Sequence, residues 1–327
     1  MSVSHRSRLE TTLSGQKPDR PPVALWRHFP IDDQYPEELA ASIVRFQEKF
    51  EFDFVKITPA SSFCLQDYGL RDEWQGNPEG SKQVKIHPVV NEGDWLKIKP
   101  LDPRKGSLGS QLKCIRLIRE SLPDSTPIIQ TIFSPLSQAK NLVGKENLLS
   151  HLRMYPEQVK SALHAISQTT QNFINECITL KVDGIFYAVQ HAQYSLMNLD
   201  EFREFGTFFD KQILESTKPL WLNIGHLHGS NVMYDELCSY PIHVLNWHDR
   251  ETSPNLKEGK FKFAGTVCGG LRQWETLAFG SPDQVIKESL EAIHQTNGTQ
   301  FILGTGCVTP VIAPDVNIFA ARKAVEK

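Results

Sequence analysis

His226 and His228 stand one residue apart, with Gly225 and Gly229 on either side. In extended chain, residues i and i+2 point the same way, so both imidazoles can face one ion. Cys307, directly after Gly306, offers a thiolate. Two imidazoles and one thiolate leave the fourth position of a tetrahedral Zn2+ open, the pattern of a catalytic rather than a structural zinc. The alternative is that the three are polar loop residues binding a substrate, or one another, without metal. Arg27 presents a fork that fits a carboxylate, and its plainer role is an ion pair with Asp53 or Asp249. His191 and His248 are candidate acid–base groups and His28 a candidate substrate contact, although a histidine at a loop start is also a common hydrogen-bonded structural residue. Cys268 precedes Gly269-Gly270, a turn that lets a ligand come close. Its alternative is a small buried hydrophobe. Tyr187, Gln190 and Asp249 complete the candidate substrate contacts.

These residues cluster because of the elements that carry them. Eight short runs read as strands: 22–26, 52–57, 127–133, 183–189, 219–224, 242–247, 261–267 and 301–306. Most are almost continuously apolar, which suits parallel strands buried on both faces. Helical patterns lie at 37–50, 107–122, 155–180, 199–216, 281–297 and 314–326. Pro36, Pro156, Pro282 and Pro314 sit near helix starts, where the missing N–H costs little, and Ser281 is a good cap. The alternation predicts an α/β chain folded as a single (β/α)8 barrel over residues 1–327. An open doubly wound sheet would want a glycine-rich phosphate turn, and none is present. Residues 70–106 break the alternation and read as a β-hairpin excursion after the second strand, either a lid or a surface cap. In such barrels the active site lies at the strand C-termini, where His28, His191, His226, His228, His248, Cys268 and Cys307 all fall. Lys56 lies within the second strand, where a buried unpaired ammonium would be costly, so the plain expectation is a side chain that snorkels outward.

The chain has 327 residues, 40% hydrophobic and 22% charged, with a net charge of −3. That is enough to bury a core, and it gives no electrostatic reason to expect nucleic acid or an anionic membrane as a partner. No run approaches the ~20 apolar residues of a membrane span. Six cysteines without a CxxC pair, and no apolar stretch near the start, imply reduced thiols and a cytoplasmic location.

The order of landmarks resembles the uroporphyrinogen decarboxylase superfamily. Arg8, Leu13, Gly15 and Lys17-Pro18-Asp19-Arg20 resemble its N-terminal signature, and Phe52-Asp53 with Gly69 its second strand and loop. Ser134-Pro135-Leu136, Pro156-Glu157-Gln158-Val159 and the closing Gly304, Gly306-Cys307 and Pro310 also match. The resemblance covers nearly the whole chain and implies the barrel fold. True decarboxylases carry a second arginine after strand one and an aspartate after strand two. Here Arg27-His28-Phe29-Pro30 and Thr58-Pro59-Ala60-Ser61 stand in those places. Without that carboxylate the pyrrole N–H groups would go unpaired, so decarboxylation of uroporphyrinogen is not expected.

The other branch is similar to zinc-dependent methylcobalamin:coenzyme M methyltransferases, which hold zinc through H-x-C after strand five and a cysteine after strand eight. His226 and Cys307 match, and His228 stands at the cysteine position, which makes the ion more electrophilic. The resemblance thus implies zinc at His226, His228 and Cys307, a small-molecule thiol acceptor, and a corrinoid, with its carrier protein, as methyl donor. A metal-free decarboxylase, with Arg27 anchoring a carboxylate and His191 or His248 protonating the carbanion, is the second expectation. A non-catalytic barrel that binds a corrinoid or tetrapyrrole is the third.

Overall fold

The computed structural model describes residues 3–326. Among the described residues there are nine strands: β1 (Val55–Ile57), β2 (Arg71–Glu73), β3 (Gln83–Ile86), β4 (Ile128–Phe133), β5 (Gly184–Val189), β6 (Ile224–Leu227), β7 (Val244–Trp247), β8 (Thr266–Leu271) and β9 (Phe301–Thr305). Seven form one parallel sheet in the order β1-β4-β5-β6-β7-β8-β9. The segment 22–26 takes the eighth place, bridging β9 and the approach to β1. Ala24 N–H donates to Leu303 O at 3.0 Å, Leu303 N–H to Pro22 O at 2.8 Å and Asp53 N–H to Val23 O at 2.9 Å. The expected α/β barrel is therefore present, with its first strand reduced to a single bridge at Val23. Every residue of β4, β5, β8 and β9 is buried, as strands covered on both faces require.

The helices follow the expected punctuation. Pro36–Phe50, Pro156–Thr179 and Pro282–Thr296 each begin at the anticipated proline. Ser281 caps the last of these through a capping box with Gln284. The pattern at 199–216 is helical but is interrupted by a π-turn at Arg203–Thr207. The excursion holds the antiparallel pair β2–β3 and a short helix, Glu92–Trp95, that buries Trp95.

Two strand expectations need correction. Residues 219–223 precede β6, and the strand itself runs through Gly225-His226-Leu227. Residues 261–262 end a helix, Leu256–Lys262, and β8 begins only at Thr266. Cys268 thus lies inside β8 rather than after it. Helices Pro135–Val143 and Lys145–Met154 were not expected. Among the described residues, no helix is long and apolar enough to cross a membrane.

Candidate metal and substrate site

A cavity of about 250 Å3 opens at the C-terminal ends of the strands. His226 (in β6) and His228 (just past it) both line it. The chain stays extended between them, with His228 N–H donating to Val189 O at 3.0 Å, and the ring centroids lie 5.9 Å apart. Cys307 follows β9, and its Sγ lies 3.7 Å from His228 Nδ1. The structure adds a fourth member. His248, just past β7, places its ring 5.5 Å from that of His228 and 6.2 Å from that of His226. One donor atom from each of His226, His228, His248 and Cys307 falls within 4.8 Å of all the others. Bond lengths of about 2.0–2.3 Å put tetrahedral ligands roughly 3.3–3.8 Å apart, so modest side-chain rotation closes the set.

Backbone contact fixes this spacing. Gly306 packs on the end of β7, where a Cβ would lie 2.7 Å from the His248 Cα and 3.1 Å from Trp247 O. Such a close approach admits only glycine. Asn246 fixes the imidazole of His226. Its amide nitrogen donates to Cys268 O at 2.9 Å and Thr305 O at 3.0 Å, so its oxygen must face His226 Nδ1, at 2.7 Å. An oxygen there requires a proton on Nδ1 and leaves the Nε2 lone pair free to bind a metal. His248 Nε2 is buried with no hydrogen-bond partner, an orphan at the centre of the group. Three imidazoles and a thiol, with one donor unclaimed by the protein, fit a zinc ion.

The electrostatics agree. Burial, reinforced by the positive charge that His248 and Lys140 can carry, pushes His228 down to about 4, and burial pushes His226 well below its usual value. Both imidazoles are therefore neutral at pH 7, the ligating form. Burial raises the Cys307 thiol to about 11, so it keeps its proton until a cation displaces it.

His28 and Gln190 also line the cavity. Burial and the nearby Lys56 and Lys82 push His28 down to about 3. His191 is buried beside the group, its Nδ1 unpartnered, and burial with Lys140 nearby brings it to about 4. The structure places four other candidates elsewhere. Arg27 does not line the cavity, and its guanidinium lies over Phe46 at 5.0 Å and Phe29 at 5.2 Å. Tyr187 points outward from β5 and donates to the buried Asp210 at 2.6 Å. Asp249 turns to Gly270 N–H at 3.0 Å, and Cys268 is fully buried in β8.

Two residues of the site were not foreseen. Asn246 interrupts the apolar Val244, Leu245 and Trp247, two positions before His248, and that spacing was a usable signal. Lys56 does not snorkel outward. It is 7% exposed, lines the cavity, and lies over the Phe186 ring at 4.5 Å. The excursion reaches the cavity too. Lys82 pairs with Asp33 at 2.6 Å, and Glu79 Oε1 accepts from Gln273 Nε2 at 2.9 Å and Trp274 Nε1 at 3.2 Å.

Comparison with known proteins agrees with the fold. A methyltransferase from Methanosarcina mazei superposes with a TM-score of 0.87 at 20% identity, covering 99% of each chain. A B12-independent methionine synthase from Shewanella superposes with a TM-score of 0.59 at 13% identity, covering 95% of this chain and 94% of that one. In sequence, the chain is 23% identical over 256 residues to the methylcobamide:CoM methyltransferase MtbA of Methanosarcina acetivorans, covering 77% of this chain and 72% of that relative. It is 22% identical to the MtbA of Methanosarcina mazei over the same shares. The family model described as uroporphyrinogen decarboxylase (URO-D) matches residues 33–327, and by that match this chain belongs to the uroporphyrinogen decarboxylase family.

Proposed function

We propose that this protein is a zinc-dependent methyltransferase that moves a methyl group between a corrinoid and a small thiol. The observation that supports it best is the convergence of His226, His228, His248 and Cys307 at the cavity, with His248 Nε2 left without a partner. His226, His228 and Cys307 would hold the ion, with His248 within reach of the fourth position. When bound, zinc supplies a thiolate at neutral pH by lowering the acceptor's pKa. The chain's own residues do the rest. Asn246 holds the His226 tautomer. Phe186 stacks on the His226 ring at 5.1 Å and excludes water from that side. A corrinoid donor would supply the methyl group and keep the cobalt–carbon pair on cobalt, the acceptor's sulfur would form the new S–C bond, and the thiol proton would go to water.

The dimensions fit this division of labour. A cavity of about 250 Å3 is small beside the roughly 300–1,000 Å3 of ordinary ligand pockets. It admits a small acceptor, while a corrin macrocycle must meet it at the mouth.

Elemental analysis of protein made in zinc-supplemented medium and purified without chelator tests the reading. One zinc per chain is expected, and it should be lost in His226→Ala. No zinc in the parent protein would overturn the reading and favour a metal-free decarboxylase. The cavity ammoniums, rather than Arg27, would then bind the carboxylate.

A further inference from the structure

Three ammoniums reach the cavity, and they differ in company. Lys82 has its carboxylate, Asp33 at 2.6 Å. Lys56 and Lys140 have none within 4.0 Å among the described residues. Lys56, from β1, donates only to Thr58 Oγ1 at 3.2 Å, and it lies over the faces of Phe186 at 4.5 Å and Trp26 at 5.7 Å. Lys140, from the helix Pro135–Val143, is half-buried and donates only to Gln190 Oε1 at 2.9 Å. Each ammonium has three donors, so each keeps two unspent. The acidic residues lining the same cavity are turned to other partners: Asp72 accepts from Ser62, and Glu79 from Gln273 and Trp274.

A buried or half-buried ammonium without an anion costs stability. Such a cost persists in a fold when a ligand relieves it. The two lysines enter the cavity from different elements: Lys56 from β1, over Phe186 and Trp26, and Lys140 from the helix after β4, bonded to Gln190 just past β5. We propose that the small substrate of this cavity carries two anionic groups of the carboxylate class, one received by Lys56 and the other by Lys140, with its reactive atom between them at His226, His228 and Cys307. The proposal rests on the cavity being the substrate site, and the two lysines then determine specificity without taking part in the transfer.

Succinate, which has two carboxylates and no thiol, is the first probe. Its binding is measured by calorimetry on the protein as isolated and after chelator treatment, against propionate and neutral succinamide. Succinate should bind at least tenfold more tightly than propionate in both preparations, and succinamide should not bind. Lys56→Met and Lys140→Met should each bring succinate down to the propionate level, while Lys56→Arg retains the preference. At pH 6, below the values of about 7 and about 8 to which burial lowers Lys56 and Lys140, both methionine variants should raise the melting temperature of the ligand-free protein, because each removes an uncompensated charge, whereas a structural lysine would lower it. With cobalt(II) in place of zinc, the thiolate-to-metal absorption should rank mercaptosuccinate over 3-mercaptopropionate over 2-mercaptoethanol. Equal affinity for succinate and propionate would overturn the proposal even if zinc is bound. Lysine-dependent succinate binding in a protein that holds no zinc would uphold it and sink the methyltransferase reading. Ethanedisulfonate, in parallel, shows whether the two sites prefer sulfonates to carboxylates.

Discussion

At the N-terminal end of the barrel, Asp53 is fully buried and accepts from His5 Nδ1 at 3.0 Å, Arg8 at 2.7 Å, Arg20 at 2.8 Å and the Val23 N–H at 2.8 Å. Asp183 nearby accepts from Arg6, from the Ile128 N–H at 2.9 Å and from Trp221 Nε1 at 3.0 Å. At the other end, His28 Nδ1, His191 Nδ1 and His248 Nε2 are buried with no partner. One end ties the chain's first residues to the strand starts with saturated carboxylates. The other leaves donors and acceptors open where a ligand can reach them. The family's barrel separates the two tasks by end, stability at the bottom and chemistry at the top.

The largest effect should come from breaking the saturated end. Asp53→Ala takes from Arg20 its carboxylate and leaves Arg8 with Asp19 alone, in a site that stays buried. Unfolding in urea should show a loss of about 3–5 kcal/mol. Zinc content of the remaining folded protein should not change, and a loss of zinc without a loss of stability would break the separation. Next, Cys307→Ala should remove nearly all bound zinc while moving the stability of chelator-treated protein by less than about 1 kcal/mol. A larger drop would mean that the open end carries stability too.

A finer test uses the ligand exchange at position 228. His228→Ala should lose most of the zinc, His228→Cys should keep it, and His248→Ala should weaken affinity by about 10–100-fold, the size expected for an outer or displaceable partner. Full zinc occupancy in His228→Ala would remove that residue from the set. Because the Cys307 thiol is raised to about 11 while His226 and His228 are neutral, binding at pH 7.5 should release about one proton per zinc. Calorimetry in buffers of different ionisation enthalpy reads this number, and Cys307→Ala should release none.

The smallest effect is a difference in pH window. Burial lowers His28, His191, His226 and His228 below the usual 6.5, with His191 and His228 at about 4. The unfolded chain binds their protons first, so stability falls as pH drops from 6.5 to about 4. Asp53, held below the usual carboxylate range by its cationic partners and hydrogen bonds against the opposing effect of burial, contributes stability above about 4 that is lost on further acidification. In metal-free protein, His191→Gln with His228→Gln should flatten the first window and Asp53→Asn the second. If one substitution flattened both, the two ends would be coupled.

The sequence brought the His/Cys group together more clearly than it placed the strands. His226, His228 and Cys307 were legible because strand periodicity and a position after a strand terminus are local rules. The start of β8 was misplaced because Phe261-Lys262-Phe263 reads as apolar alternation. The Asn255…Glu258 capping box, with its two reciprocal hydrogen bonds, marks that stretch as a helix instead. Ser134-Pro135 was an equally local start signal for the helix that carries Lys140. Arg27 was misread because a strand terminus says where a residue lies and not which way it turns, and Phe29 and Phe46 draw its guanidinium out of the cavity. Lys56 was missed for the opposite reason. General cost arguments send a lysine outward, and only the whole cavity shows that an inward one has room.

Gly306 separates the identity of the His/Cys side chains from their placement. Because the chain after β9 meets the end of β7 backbone to backbone, the distance between the Cys307 and His248 side chains is set by main-chain contact. Side chains at 226, 228, 248 and 307 can then be exchanged among histidine, cysteine and carboxylate without rebuilding the frame. The barrel thus behaves as a fixed socket with replaceable pins, in which the set of donor atoms and their acidity can be retuned one position at a time. A side chain at Gly306 would instead shift two pins together, so that position is the least interchangeable part of the socket.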